Sequence, residues 1–309
     1  MNIVVIGAGA LGAYFGTRLI SAGHRVQFLV RDRRAAQIKE QGLNIHSVYG
    51  DERLEHPDIV SRTEEVEACD LVILAVKGYH LEAVLPTVRA LTEKGAFVLP
   101  LLNGITHVQH LGQIVGEDKV LGGLAYIIAT LDEKGHVHHT SEQHDIIFGP
   151  LHPKQKPICR ELEETASKVN FRLLFKEDIT FEMWKKYVFI TTFSGVTTAA
   201  RVSIGPIRNT PQLEKLAQTI LTEMTALAAY YCSDEAVRDI KAQAGQQLQT
   251  FPDEATSSMH QDLRKGQPLE SDHLLGGAVT LGQSHGLDLP HVETLHALLT
   301  PFKDGCSIQ

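Results

Sequence analysis

Two groups of residues in this chain have types and spacings suited to chemistry. The first is the stretch "FEMWKKYVFITTFSGVTTAA", residues 181 to 200, which sets Lys185 and Lys186 among Phe181, Trp184, Tyr187, Val188, Phe189 and Ile190. A lysine is costly to bury. Adjacent residues on a helix point about 100° apart, so one ammonium can reach solvent while the other faces inward. Desolvation lowers the pKa of an inward ammonium. That is how a lysine becomes able to exchange protons near neutrality. The same stretch also fits two side chains that snorkel out of a buried helix.

The second group follows the short apolar run Asn2 to Ile6: "GAGALGAYFG", in which Gly7, Gly9 and Gly12 form G-x-G-x-x-G, with Gly16 further along. The first glycine permits a tight turn, the second a close approach of backbone to a pyrophosphate, and the third close helix–strand packing. The helix N-terminus attracts the anion. A helix from about Ala10 to Ala22, ended by Gly23, and a strand from Arg25 to Val30 complete a βαβ unit of the right size. The spacing therefore predicts dinucleotide binding, with Ala8, Ala10 and Leu11 as the positions between the glycines.

The end of that second strand selects the dinucleotide. Asp or Glu there accepts from a ribose 2′-hydroxyl, whereas Arg meets a 2′-phosphate. The chain reads "FLVRDRR", with Arg31 at the position and Arg33 and Arg34 close behind. This favours NADPH, although Asp32 would serve a ribose if the register slipped by one. Two more strands point to the same edge, because ligands in open α/β sheets bind outside the carboxyl ends of strands. Leu71 to Val76 delivers Lys77, and "GAFVLPLLNGI" delivers Asn103-Gly104. Both are candidates to contact cofactor or substrate. A solvated lysine and a turn-forming Asn-Gly are the ordinary alternatives.

These residues need a scaffold, and 309 residues are enough for two domains. Hydrophobic residues at 43% and charged residues at 21% describe a globular chain. The formal charge of −8 points to neither nucleic acid nor an anionic membrane as partner. Cys69, Cys159, Cys232 and Cys306 are scattered without C-x-x-C spacing, which indicates neither a disulfide framework nor zinc. "MNIVVIGAGALG" has the length of a signal h-region but no basic n-region, and no other run approaches a membrane span, so a cytoplasmic location is expected. The first half reads as a doubly wound, Rossmann-like α/β domain. Leu121 to Phe175 reads as short strands and loops, including a hairpin in "KGHVHHTSEQHDIIFG". Its His136, His138, His139 and His144 fit no zinc motif, and strand alternation separates His139 from His136 and His138, so no metal is expected.

After "NFRLLF" the strand signal stops. Thr210 and Pro211 open a helix with apolar residues at helical spacing, and further helices are expected over roughly Ser233 to Gln249, Asp253 to Arg264, Leu269 to His285 and His291 to Leu299. The expected division is a nucleotide-binding domain over 1–177 and an all-α substrate domain over 178–309.

Gly7, Gly9, Gly12, Arg31, Lys77, "LNG" at 102 to 104, "WKK" at 184 to 186 and "SSMHQDLRKGQPLE" at 257 to 270 together resemble the ketopantoate reductase (2-dehydropantoate 2-reductase) family, collinearly over nearly the whole chain. The resemblance implies an NADPH-dependent reduction of a 2-oxo acid to the R-2-hydroxy acid, ketopantoate to pantoate, in pantothenate and coenzyme A synthesis. It implies a monomer or homodimer acting on a small molecule. It makes Lys186 the general acid; helical spacing puts Lys186, Ile190, Ser194 and Thr197 along one stripe, so that Lys186 faces the cleft and Lys185 can turn to solvent. It places Glu270 at the substrate hydroxyl, where position alone would read as a helix cap. It puts Asn103 and Lys77 beside nicotinamide, ribose and substrate, and Ser258 at the substrate carboxylate. Ser194 joins the substrate contacts.

The chain departs from the family pattern at three places. Ile190 and Ser194 stand where the family usually has asparagines four and eight residues after its lysine, and Ala255 replaces a third. Those asparagines contact the polyol end of ketopantoate. Two other readings therefore stand beside the first: a relaxed R-2-hydroxy acid dehydrogenase for branched or aromatic 2-oxo acids, and a non-catalytic NADP(H)-responsive binding protein.

Overall fold

The computed structural model describes residues 1–305, so Cys306 lies outside the described residues. The chain separates into two compact units. One comprises Met1–Leu102 and His107–Ile179, and the other comprises Asn103–Thr106 and the chain from Thr180 onward.

The first unit runs β1 (Asn2–Ile6), α1 (Ala10–Ser21), β2 (Arg25–Leu29), α2 (Asp32–Gln41), β3 (Leu43–Ser47), β4 (Glu52–Leu54), β5 (Asp58–Val60), β6 (Leu71–Leu74), α3 (Leu81–Glu93), β7 (Phe97–Pro100), α4 (Thr106–Val115), β8 (Gly122–Leu131), β9 (Val137–Gly149), α5 (Lys156–Glu163) and β10 (Arg172–Phe175). Strands β5-β2-β1-β6-β7 form a parallel sheet in that order. Its strands are apolar at nearly every position because both faces are covered. On β1, Ile3 and Val5 pack with Tyr14, Phe15 and Leu19 of α1, whereas Val4 and Ile6 pack with Leu81, Leu85 and Val88 of α3. The strand order reverses beside β1, which places the glycine turn at the switch point where such sheets take ligands.

A second sheet, β10-β9-β3-β4 with β8 on β9, corrects the expectation of short strands and loops between Leu121 and Phe175. Strands β8 and β9 are 10 and 13 residues long and pair antiparallel across the turn at 132–136. The segment read as a hairpin is therefore one strand and its preceding turn. A register shift between Ile127 and Ala129 leaves 140–143 bulged out of the ladder, and Ser141 Oγ accepts from Ile128 N there. The same irregularity breaks strict alternation, so His139 and His144 stack on each other at 5.5 Å. His144 takes a hydrogen bond with Tyr14 at 2.7 Å and lies 4.0 Å from the Tyr49 ring, while His139 pairs with Ser47. His136 and His138 sit beside Asp132. These histidines hold the second sheet together.

The second unit is helical: α6 (Ile179–Ala200), α7 (Ile204–Asn209), α8 (Pro211–Ala228), α9 (Asp234–Thr250), α10 (Ser258–Arg264), α11 (Gly277–Ser284) and α12 (Pro290–Leu299). The central helix α6 is buried on nearly all sides, as its unbroken apolar sequence requires. Three boundaries differ from the sequence expectation. The short α7 was not anticipated. Helix α10 begins at Ser258 instead of Asp253, because Asp253 and Ala255 carbonyls accept from Gly205 and Ile204 and hold that segment as a strap. Ser257 then caps α10 by accepting from His260 N. The helix expected from Leu269 starts after Glu270 and opens with a π turn over Asp272–Gly276. No helix among the described residues is long and apolar enough to cross a membrane.

Candidate active site

In the second unit the structure brings together three of the residues singled out from sequence. Lys186 is 8% exposed on α6, and Glu270 is 5% exposed immediately before the π turn. Lys186 Nζ donates to Asn103 Oδ1 at 3.0 Å. An ammonium only donates, so this bond fixes the Asn103 amide with its nitrogen turned away from the lysine. That nitrogen reaches Glu270 Oε2 in a long contact of 3.5 Å. Burial pushes the Lys186 ammonium down to about 8, and the nearby Glu270 carboxylate opposes the fall.

Local sequence explains how the three converge. Asn103 is held by Gly104 and Ile105. Gly104 has φ +90, and a Cβ there would lie 3.1 Å from the His273 carbonyl, so this approach to the π turn requires glycine. Ile105 packs into the apolar core of the second unit. On the other side, Tyr187 OH donates to the Leu274 carbonyl at 2.7 Å, which ties α6 to the same π turn. Trp184 is fully buried, stacked on Tyr231 at 4.6 Å and edge-on to Tyr187, so α6 cannot rotate to exchange its lysines. A π turn frees a backbone carbonyl and re-aims what precedes it, and such turns recur at functional sites.

Lys185 differs from the expectation of a solvated side chain. It is 22% exposed, forms an ion pair with the buried Glu182 and lies over the Phe181 ring. Along α6, Ile190 is half-buried, Ser194 is buried, and Thr197 donates to the Phe193 carbonyl. Ser258 is exposed at the first position of α10 and makes no hydrogen bond to Lys186, Asn103 or Glu270. The buried hydroxyl of that pair is Ser257, which contacts Thr197 at 3.2 Å.

The remaining candidates lie in the first unit. Gly7 has φ +95, and a Cβ would meet the Ala75 carbonyl at 2.9 Å. A Cβ on Gly12 would collide with the Gly7 carbonyl, whereas one on Gly9 would meet nothing within 4 Å. The turn is therefore closed against strand and helix at its first and third glycines and open at the second. Helix α1 has no side-chain cap and no acidic residue in its first turn. The N–H groups of Ala10, Leu11 and Gly12 lie at this helix start, where an anion is favoured. These features fit a dinucleotide pyrophosphate.

Arg34, close behind Arg31 in sequence, has a structural task. Its Nε donates to the Ala8 carbonyl at 2.8 Å and its fork also bonds Gln37 and the Gly135 carbonyl, so it braces the glycine turn. A positive residue one helical turn after Arg31 was the only sequence signal for this. Arg31 itself is exposed at the N-cap of α2, and Asp32 and Arg33 are exposed beside it. Lys77 is half-buried and opens a 3₁₀ turn over Gly78–His80. Burial, and secondarily Arg31, hold the His80 imidazole below its usual range.

The description "Ketopantoate reductase PanE/ApbA" matches residues 3–153, and its C-terminal counterpart matches residues 178–303. The chain belongs to the ketopantoate reductase family. It is 34% identical over 305 residues to the uncharacterised oxidoreductase YkpB of Bacillus subtilis, covering 98% of this chain and 99% of that protein. Among solved structures it resembles 2-dehydropantoate 2-reductase of Geobacter metallireducens, with 28% identity, a TM-score of 0.84 and coverage of 97% and 99%. It equally resembles D-mandelate dehydrogenase in complex with NADH and anilino(oxo)acetate, with 26% identity, a TM-score of 0.85 and coverage of 98% and 99%. As a member of the ketopantoate reductase family the chain is an oxidoreductase with a Rossmann-like domain and a helical C-terminal domain.

Proposed function

We propose that this oxidoreductase reduces a 2-oxo acid to the R-2-hydroxy acid with NADPH, and that Lys186 is its general acid. The observation that carries this reading is the buried Lys186–Asn103–Glu270 cluster. The first unit would hold the nucleotide through Gly7, Ala8, Gly9, Ala10, Leu11 and Gly12, with Arg31 on the 2′-phosphate and Lys77 nearby. When bound, NADPH supplies the hydride. Negative charge then develops on the substrate carbonyl oxygen, and a positioned ammonium stabilises that oxygen and protonates it. A lysine held near 8 suits this work, since it is largely protonated at neutral pH yet gives up its proton readily. Asn103 anchors the ammonium, and Glu270 keeps it charged and accepts from the hydroxyl that forms. Ser194 and Ser258 are the further substrate contacts. These geometries disfavour a binding protein without chemistry, because a buried ammonium and carboxylate are costly to keep for cofactor binding alone.

Ketopantoate is the named substrate that fits the family. Ile190 beside Lys186 supports a second reading, a dehydrogenase of branched or aromatic 2-oxo acids, and the likeness to D-mandelate dehydrogenase points the same way. A hydroxyl at the far end of ketopantoate loses a partner against Ile190, at about 1–3 kcal/mol, whereas an apolar group gains from burial. We therefore expect kcat/KM for ketopantoate to be no better than for 2-oxoisovalerate or 2-oxoisocaproate at matched NADPH. The measurement is an NADPH-oxidation assay across these acids and phenylglyoxylate. A preference of about a hundredfold or more for ketopantoate would show that other residues replace the missing asparagines. Oxidation of NADPH with none of the 2-oxo acids would overturn the assignment of activity.

Arg31→Ala should raise KM for NADPH with little change for NADH, because a charge-assisted contact to the 2′-phosphate contributes about 1.5–3 kcal/mol. Steady-state kinetics with both cofactors test this. A wild-type protein that already prefers NADH would remove Arg31 from this role and bring Asp32 forward.

A further inference from the structure

The carboxyl end of α6 carries a feature that the reductase reading does not use. The helix closes in a Schellman turn: Arg201 N donates to the Thr198 carbonyl and Val202 N to the Thr197 carbonyl. The left-handed residue of such a turn is usually glycine, since a Cβ there is strained. Here it is Arg201, with φ +58, the one described non-glycine residue with positive φ. Strain held at a residue is a reason to look for what its side chain does.

Arg201 lines a cavity of about 440 Å³ within the second unit. Ser203 continues the same wall, Thr256 lies on the opposing strap, and His260 and Arg264 of α10 complete it. The strap is fixed: Arg208 bonds Asp253 and the carbonyls of Leu248, Gln249 and Phe251. The lining thus carries two arginines and one carboxylate, that of Glu254, all three exposed at the mouth. Arg201 stacks on the Phe302 ring at 5.2 Å, and neither Arg201 nor Arg264 forms an ion pair with a described residue. His260 is buried and its Nδ1 is bonded to Thr256 Oγ1, while Nε2 has no described partner and is not sealed from the cavity. Burial and the Arg264 charge hold its imidazole below the usual histidine range, as a positive field requires. Val202 and Leu263 give the cavity an apolar part.

The cavity is separate from the reducing cluster. From Lys186 to the helix end at Ala200 is fourteen residues, or about 20 Å of helix axis. Its volume far exceeds that of an inorganic ion and falls within the range of small-molecule sites.

We propose that this cavity is a second ligand site for a small organic anion, whose carboxylate or phosphate group is held by Arg201 and Arg264 with His260 and Ser203 beside it. The planar forks of two arginines suit either anionic head group. The site does not depend on which 2-oxo acid the enzyme reduces.

The test is isothermal titration of the full chain with succinate and with glycerol 3-phosphate, at constant ionic strength, on wild type, Arg201→Gly, Arg264→Gln and Lys186→Ala. Glycine suits the left-handed backbone, so Arg201→Gly keeps the fold while removing the guanidinium. Saturable binding of either probe is expected, weakened about tenfold or more in both arginine variants and unchanged in Lys186→Ala. Whichever probe binds identifies the head group. Absence of saturation by both probes up to the order of 10 mM overturns the proposal. So does binding that survives both arginine substitutions, or binding lost in Lys186→Ala, which would place the anion at the reducing cluster.

Discussion

Lys186→Ala is expected to fold and bind cofactor nearly normally while losing roughly two to four orders of magnitude in kcat, the usual contribution of a positioned general acid. Glu270 stays buried beside Asn103 but loses the nearby ammonium, so the melting temperature should fall as well, and cofactor binding by the first unit is the control that the fold persists. Lys185→Ala gives the contrast. Its kcat should change little, because Lys185 pairs with Glu182 and packs over Phe181, and no contact joins it to the Asn103–Glu270 cluster. Its thermal stability should fall, since Glu182 is buried and loses an ion partner, at about 1–3 kcal/mol. Steady-state rates and melting curves on the two variants separate catalysis from structure. Loss of activity in Lys185→Ala with Lys186→Ala still active would reverse the assignment.

The features legible in the sequence were those whose determinants lie close together along it. The glycine turn is legible because Gly7, Gly9 and Gly12 and their flanking strands act within one βαβ unit, and the structure needs glycine at Gly7 and Gly12 for contacts with Ala75 and Gly7 itself. The two lysines were legible as an anomaly, but the choice between them rests on Trp184, whose packing against Tyr231 is not a property of residues 181 to 200. The second sheet was not legible. Its core pairing joins Ile45 to Val137 across ninety-two residues, and the register shift in β8–β9 disguises the alternation that marks a strand. Arg34 could not be separated from Arg31 and Arg33 by composition, because what distinguishes it is the Ala8 carbonyl it reaches.

The same distance argument explains why Asn103 looked like a turn residue and Glu270 like a helix cap. Each has that local role: Asn103 precedes a left-handed glycine, and the Glu270 carbonyl accepts from His273 N and Leu274 N at the start of the π turn. Their second role exists only because segments separated by 83 and 167 residues meet at Lys186 and Asn103. Residues with two such roles are poorly placed for substitution, since a backbone requirement and a side-chain requirement coincide at one position.

Glu270→Gln separates them, because it keeps the size and hydrogen-bonding reach of the side chain and removes only its charge. In the wild type, burial holds Lys186 at about 8 and Glu270 opposes that depression. Reduction needs the protonated lysine, so its rate should be level at neutral pH and fall as pH rises through about 8. Removing the Glu270 charge removes the opposing influence, which lowers the lysine further and moves the falling limb to lower pH. At pH 7.5 less of the enzyme then carries the proton, and the forming hydroxyl loses a charged acceptor. Together these should reduce kcat by roughly one to two orders of magnitude, with the difference shrinking as the assay is made more acidic. Oxidation of the hydroxy acid needs the free amine and should show the opposite trend, rising with pH and doing so earlier in the variant. The measurement is a pair of pH–rate profiles in each direction. A falling limb that stays in place, or moves to higher pH, would show that Glu270 does not set the charge on Lys186.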